Sequence, residues 1–350
     1  MHRRDILKGI GGAATATAVA ANVGDARADT EASFPDAGDY AEAWAPTDPE
    51  IPQRRNVSPL PDDYFTPGRF EGRTVIVTGC ARGMGRGAAW RLAREGANVV
   101  GVDWLEEQGR QTMEEIAAEG LSARFLAGDV GTDETCEQMV RLAVEEFGGI
   151  DAALNNAGVM DGVFSVEPID YESQKDLIFA PIHEANEEYW DNVFRTNVKG
   201  VFFSMRHELR QLIAQSRGGS ILNVGSIAGL TGLAGNPAYV ASKHAVNGMT
   251  KNAAVDYAPY GIRVNSVKMA ATDTPMVERA GALVAAQYAS GKPNTGMGRL
   301  KTQSILAYAD QNSRSAAVSE QVSMMCYLLS TEAGNMTGAT YSTDGGWTAF

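Results

Sequence analysis

From Arg73 onwards, β-branched apolar runs alternate along the chain with segments of helical length and helical spacing of apolar positions. The runs are TVIVTG from Thr74, NVVGVD from Asn98, ARFLAGDV from Ala123, DAALNNAG from Asp151, SILNVGS from Ser220 and IRVNSVKM from Ile262. Strands alternating with helices predict an α/β fold, a doubly wound parallel sheet. No repeat of solenoid period interrupts the pattern, so residues 71–350 read as one domain. Residues 29–70 are rich in Pro, Asp and Glu and have neither period. They predict an extended N-terminal arm, either disordered or laid over a neighbouring surface.

The first 28 residues stand apart. Arg3 and Arg4 precede a weakly apolar stretch from Ile10 to Val23, rich in Gly, Ala and Thr, which ends in Ala26-Arg27-Ala28. This reads as a twin-arginine signal peptide with an A-x-A cleavage site, the alternative being an amphipathic helix with a charged face that the stretch lacks. Ile6 stands where the twin-arginine consensus usually has Phe. The stretch is too short and too rich in Gly and Ala for a membrane span. A folded, periplasmic or extracytoplasmic protein is therefore expected, with an uncleaved cytoplasmic chain as the alternative.

Composition narrows the partners. A hydrophobic share of 44% with 21% charged residues is that of a soluble globular protein. The formal net charge of −13 argues against nucleic acid or an anionic membrane as partner. Removing residues 1–28 takes away more base than acid, so the remainder is more acidic still. Cys80, Cys136 and Cys326 are far apart and lack metal-ligand spacing. No metal site is expected, and buried free thiols are.

The first strand runs into Thr78-Gly79-Cys80-Ala81-Arg82-Gly83-Met84-Gly85, followed by a helix from about Met84 to Glu95. Glycines let a backbone turn tightly and approach a pyrophosphate, which a helix N-terminus then stabilises. Asp103 ends the second strand, where a carboxylate accepts hydrogen bonds from the adenosine ribose. A 2′-phosphate about 4 Å from that carboxylate would cost on the order of 4 kcal/mol at an effective dielectric near 20, so NAD is favoured over NADP. Arg82 pulls the other way, since a guanidinium pairs with phosphate. Trp104 adds no second positive charge, and Asp103 is taken to prevail.

The segment YVASK puts Tyr239 and Lys243 four residues apart, on a helix that Asn236 can cap and Pro237 can open. A free tyrosine has a pKa near 10, so exchanging a proton with an alcohol near neutral pH needs a nearby cation. Lys243 has the spacing to supply it.

Taken together, TGCARGMG, Asp129-Val130, NNAG over Asn155–Gly158, Asn197 in TNVKG, Ser226 in VGSIAG and YVASK resemble the short-chain dehydrogenase/reductase family over about residues 71–350. Ser226 precedes Tyr239 by 13 residues, as the family's Ser and Tyr usually do. The resemblance implies a single Rossmann-type domain with a seven-stranded parallel sheet, commonly a tetramer, here a homo-tetramer or dimer. It implies a catalytic set of Asn197, Ser226, Tyr239 and Lys243. Tyr239 would exchange the proton, Lys243 would also bind the nicotinamide ribose, Ser226 would hold the substrate oxygen and Asn197 a relay water. The cofactor-binding set it implies is Gly79, Arg82, Gly83, Met84, Gly85, Asp103, Asp129, Val130, Asn156, Ala157, Gly158, Tyr239, Lys243 and Thr274. Asp129 would meet the adenine, Asn155 and Gly158 the floor beside the nicotinamide, and Thr274 the carboxamide.

Two departures from the family's pattern bear on the pocket. Met269-Ala270 replaces the usual Pro-Gly, and the stretch from Val159 to Thr196, with Pro168, Tyr171, Phe179 and Pro181, exceeds the usual connection. That stretch either lines the pocket or is a structural insertion. The substrate loop is expected between Pro275 and Asn312, with Met276, Val277, Leu283, Val284, Tyr288, Met297, Leu300, Ile305 and Tyr308 as apolar lining. These imply a small apolar secondary alcohol or its ketone, with NAD and hydride transfer. A non-catalytic nucleotide-binding or scaffold protein is the rival from another class.

Overall fold

The computed structural model describes residues 55–164, 169–291, 305–312 and 314–349. Residues 1–28, the arm before residue 55, Pro168, Met297, Leu300 and the side chain of Tyr308 lie outside the described residues.

The elements follow the expected alternation: β1 Thr74–Thr78, α1 Gly83–Arg94, β2 Asn98–Asp103, α2 Glu106–Ala118, β3 Ala123–Ala127, α3 Asp133–Phe147 and β4 Ala152–Asn155. There follow α4 Glu187–Phe194, a π turn over Arg195–Gly200, α5 Val201–Gln215, β5 Gly219–Val224, α6 Pro237–Tyr257, β6 Ile262–Met269, α7 Pro275–Ala289, α8 Val318–Leu329 and β7 Thr340–Thr343. The seven strands form one all-parallel sheet in the order β3-β2-β1-β4-β5-β6-β7. It is a doubly wound, Rossmann-type sheet.

Strand alternation divides the core. Val75 and Val77 of β1 join Leu92 of α1, Met113 and Ile116 of α2 and Met325 of α8 on one face. Ile76 joins Met139 of α3, Leu212 of α5 and Val246 of α6 on the other. All five residues of β1 are buried, as a central parallel strand covered on both faces requires.

The chain winds outward from β1 through β2 to β3, then returns to place β4 on the other side of β1. The loops after β1 and β4 diverge at this reversal and leave a crevice beyond the carboxyl ends of the strands, where such sheets bind ligands. The described part of the arm, residues 55–70, lies against the body. Phe70 is fully buried, Arg69 pairs with Glu95, and the Arg91 guanidinium lies 4.9 Å from the centre of the Tyr64 ring.

The long stretch after β4 does two things. Met160 and Val163 near its start and Thr196 at its end line the crevice, while Ile178 and Phe179 pack under α7 against Ala280 and Leu283. Leu283 and Val284, expected to face substrate, are thus spent on core packing, because the insertion needs an apolar face to bury against. Tyr288 is 42% exposed, away from any such lining. With Met269 in place of proline, β6 continues to residue 269, and the loop beyond is tied to Ala316 by a bond from the Asp273 amide of 2.9 Å.

Candidate active site

A cleft of roughly 1090 Å³ of open space runs along the crevice between β1 and β4. Gly79, Arg82, Gly83, Met84, Asp103, Asp129, Val130, Asn156, Ala157, Gly158 and Thr274 all line it. Gly85, Tyr239 and Lys243 do not, and Gly85 has a different task. A Cβ there would stand 1.9 Å from the Gly79 carbonyl oxygen, so only glycine lets the first turn of α1 fold back onto the loop. Gly79 itself has φ of 72°, in the left-handed region.

The loop is pinned from both sides. The Asp103 carboxylate accepts the amides of Ala81 at 2.9 Å and Leu105 at 3.0 Å, and Asn156 donates from its side chain to the carbonyls of Thr78 and Gly79 at 3.1 and 3.2 Å. Burial raises the Asp103 carboxyl above its ordinary value, against the pull of those amides and of Arg82. At the start of α1, Arg82 provides no side-chain cap, which leaves first-turn amides turned to the cleft.

Three buried polar atoms on the cleft wall have no partner among the described residues: Asn156 Oδ1, Thr196 Oγ1 and Arg279 Nη2. Arg279 is held by Asp161, Nε to Oδ2 at 3.2 Å, across the mouth between α7 and the loop after β4. Orphaned donors and acceptors beside a glycine cradle fit a dinucleotide, which offers both phosphate acceptors and amide donors. Near the third strand, Asp129 pairs with Arg195, whose guanidinium lies 5.6 Å from the Phe164 ring centre, and Phe164 meets Trp104 edge-on at 6.2 Å. The sequence contains no signal for this cluster, since its members come from four separate loops and turns.

Thr274 caps α7, its hydroxyl accepting the Val277 amide at 3.4 Å and donating to the Thr272 carbonyl at 3.2 Å. Asn155 is turned inward, donating to Glu208 at 3.1 Å and Asn223 at 3.0 Å, so it braces the strand ends beneath the floor. Sequence reading missed Glu208. It is fully buried, and its carboxyl is pushed up to about 8 by burial.

Beside the cleft, the other four residues come together. Pro237 opens α6; Asn236, expected as its cap, instead accepts from the buried Tyr189 hydroxyl. Lys243 donates to the Val224 carbonyl at 3.0 Å, and its nitrogen lies 5.5 Å from the centre of the Tyr239 ring. A Cβ on Gly158 would be 3.4 Å from that nitrogen and 3.2 Å from Asn197 Oδ1, so the glycine keeps the cleft floor open to both. Asn197 sits in the π turn, a frequent device at functional sites. The widened helix aims its side chain at the Val159 amide and carbonyl, at 2.8 and 2.9 Å, and at the Ser242 hydroxyl at 3.0 Å.

The electrostatics differ from the sequence expectation. Burial pushes the Tyr239 phenol up, opposed by a hydrogen bond with Ser226, while burial brings Lys243 down to about 8. Desolvation dominates at both partners. A second lysine also escaped notice: Lys268, fully buried at the end of β6, is brought down to about 7 by burial, with Lys243 and Lys251 adding to the effect, and donates to Ser266 at 2.6 Å. The three cysteines are free and buried, and burial raises Cys136 and Cys326 to about 12, which rules them out as nucleophiles near neutral pH. Among the described residues no cluster of metal-ligating side chains occurs, and no helix is long and apolar enough to cross a membrane.

Comparison with known proteins agrees with this geometry. A family model described as short chain dehydrogenase matches residues 73–283. The chain is 34% identical to a 3beta-hydroxysteroid dehydrogenase of Mediterraneibacter gnavus over 289 residues, 82% of this chain and 98% of that protein. It is 36% identical to a cyclopentanol dehydrogenase of Comamonas sp. over 282 residues, 81% and 99% of the two chains. Levodione reductase has a similar structure, with a TM-score of 0.66 and 28% identity over 80% of this chain and 99% of that one.

Proposed function

The chain belongs to the short chain dehydrogenase family, oxidoreductases of the CH–OH group, and on that premise we propose that it interconverts an apolar cyclic secondary alcohol and its ketone with NAD. The observation that carries the proposal is the convergence of Ser226, Tyr239 and Lys243 beside a glycine-floored dinucleotide cleft. A nicotinamide held in this cleft would supply the chemistry of hydride acceptance and return. In this reading Tyr239 takes the hydroxyl proton when the alcohol is oxidised and returns it when the ketone is reduced. Ser226 hydrogen-bonds the reacting oxygen and, through its bond to the phenol, favours the phenolate. Lys243, held by the Val224 carbonyl, brings its ammonium to the phenol and to the floor at Gly158. Asn197 fixes Val159 and so the height of that floor, in addition to the relay role expected of it. Gly79, Gly83 and the first turn of α1 would hold the pyrophosphate, and Asp103 the ribose. Arg279, with a free donor, is a further cofactor contact that sequence reading did not name.

NAD is preferred to NADP in this proposal because the Asp103 carboxylate is buried, fixed by two amides and directed at the cleft, whereas Arg82 is exposed. Relatives named for cyclopentanol, cyclohexanol and hydroxysteroid oxidation support an alicyclic substrate. Export by the twin-arginine route and assembly as a dimer or tetramer complete it. The test is a panel of cyclic alcohols and ketones of increasing size, read by NADH absorbance. Turnover of alicyclic alcohols with NAD is the expected result, and no turnover of any with either nicotinamide cofactor would refute the reading.

A further inference from the structure

The arm touches the body at a particular place. The Arg55 amide donates to the Ala309 carbonyl and the Gln311 amide to the Arg55 carbonyl, both at 3.0 Å, so Arg55 and Asp310 form a parallel bridge. Asp310, 1% exposed, accepts the Val57 amide at 2.7 Å through one oxygen and the Asn312 amide at 2.9 Å through the other. Arg314 donates Nε to the Val57 carbonyl at 2.8 Å and grips Glu320 with both terminal nitrogens at 2.9 and 2.8 Å. The Ser319 hydroxyl then donates to the Leu60 carbonyl at 2.6 Å. Arg55, Val57 and Leu60 of the arm thus hold the return of the expected substrate loop to the start of α8. None of Arg55–Leu60 lies within the family match, which begins at residue 73.

The return so held is one wall of a second cavity, with roughly 1000 Å³ of open space beyond the carboxyl ends of β5, β6 and β7. Ile305, Leu306 and Arg314 form that wall, facing Ala270 and Ile227, the residue after Ser226. Within it, Gln321 is 3% exposed and donates to the Thr343 carbonyl at 3.0 Å, while its Oε1 has no partner among the described residues. A largely apolar chamber whose lining includes Ile227, next in the chain to Ser226, suits the far end of an alicyclic substrate, and the buried Gln321 Oε1 behind its wall is left without a partner among the described residues.

We propose that this second cavity receives the end of the substrate remote from the reacting carbon, and that Arg55–Leu60 is a positioning element for specificity because it sets the cavity's outer wall. The proposal rests on the alcohol dehydrogenase reading for its substrate. The arm acts by restraint: each hydrogen bond to Asp310 or Arg314 lowers the entropy of the return before substrate arrives, so less is lost on binding.

The test uses the full chain carrying Val57→Pro, which deletes the amide that Asp310 accepts, and separately Asp310→Ala. Hydrogen exchange of the amides in residues 305–312 is measured together with KM and kcat for cyclopentanol and for the largest alicyclic alcohol that the unmodified chain oxidises. Exchange in 305–312 should quicken in both variants. KM for the large alcohol should rise about fivefold, as expected for the loss of one hydrogen bond, with KM for cyclopentanol and kcat for both within about twofold. Unchanged exchange, or an equal rise in KM for small and large alcohols, overturns the proposal. If the unmodified chain oxidises no alcohol, the functional reading fails, and the exchange measurement still decides whether the arm restrains the return.

Discussion

Lys243 approaches Tyr239 from one turn further along the same helix, its nitrogen 5.5 Å from the ring centre, and both side chains are withdrawn from water. Burial moves them in opposite directions, the phenol up and the lysine down to about 8, which still leaves the lysine mostly protonated near neutral pH. Near neutral pH the ammonium therefore remains to support an ionised phenol, and Ser226 supplies the hydrogen bond that favours the phenolate. As pH rises towards the lysine value its charge is lost, and with it the support for an ionised phenol.

Tyr239→Phe removes the proposed proton carrier and keeps the ring's packing. We expect turnover to fall by about a hundredfold or more, the lower range for loss of a general acid or base, with NAD affinity nearly unchanged. Retention of more than a few per cent of the unmodified chain's activity on its best alcohol would exclude Tyr239 from that role.

Asp103 lines the cleft with a carboxylate fixed by the amides of Ala81 and Leu105, and in the proposed function it meets the adenosine ribose. The ratio of kcat/KM for NAD over NADP should be about tenfold or greater, since repulsion of a 2′-phosphate is worth a few kcal/mol at short range. Equal use of the two cofactors would mean that Arg82 overrides it.

Glu208 offers a test of stability against pH. Its folded value of about 8 exceeds the ordinary 4.5, so between these values the unfolded chain has released a proton that the folded chain retains. Stability contributed by the protonated form is present below 4.5 and is lost as pH rises towards 8. Glu208→Gln keeps an acceptor for Asn155 and cannot ionise. Its melting temperature should match that of the unmodified chain near pH 4.5 and exceed it by about 3 °C or more at pH 8. A constant difference across that range would show that Glu208 does not titrate there.

The twin-arginine signal proposed for residues 1–28 makes a claim about place. N-terminal sequencing of the protein from fractionated cells of the native host should find it outside the cytoplasm and beginning after Ala28. Replacing Arg3 and Arg4 by Lys should leave it inside. A full-length cytoplasmic chain, unaffected by that change, would defeat the export proposal and leave the enzymatic one intact.

Period and spacing carried the fold a long way, because a parallel strand buried on both faces must be apolar for nearly its whole length and a covering helix must be apolar along one face. Six of the seven strands are visible in this manner. The seventh, Thr340–Thr343, is short and half-exposed, with no apolar run of its own. The glycine loop, Asp103 and the pair Tyr239 and Lys243 are local in sequence, and each motif predicts its own geometry. What spacing could not convey is competition for the same atoms. Asn155 turns inward to Glu208, the Thr274 hydroxyl also caps α7, and Leu283 is buried under the insertion. Burial, fixed by residues distant in the chain, decided the ionisation of Tyr239, Lys243, Lys268 and Glu208. Likewise the arm's hold on Asp310 joins residues 253 positions apart. Such a contact has no period in the sequence, because it is selected by the shape of a surface that exists only once the sheet and its helices have packed.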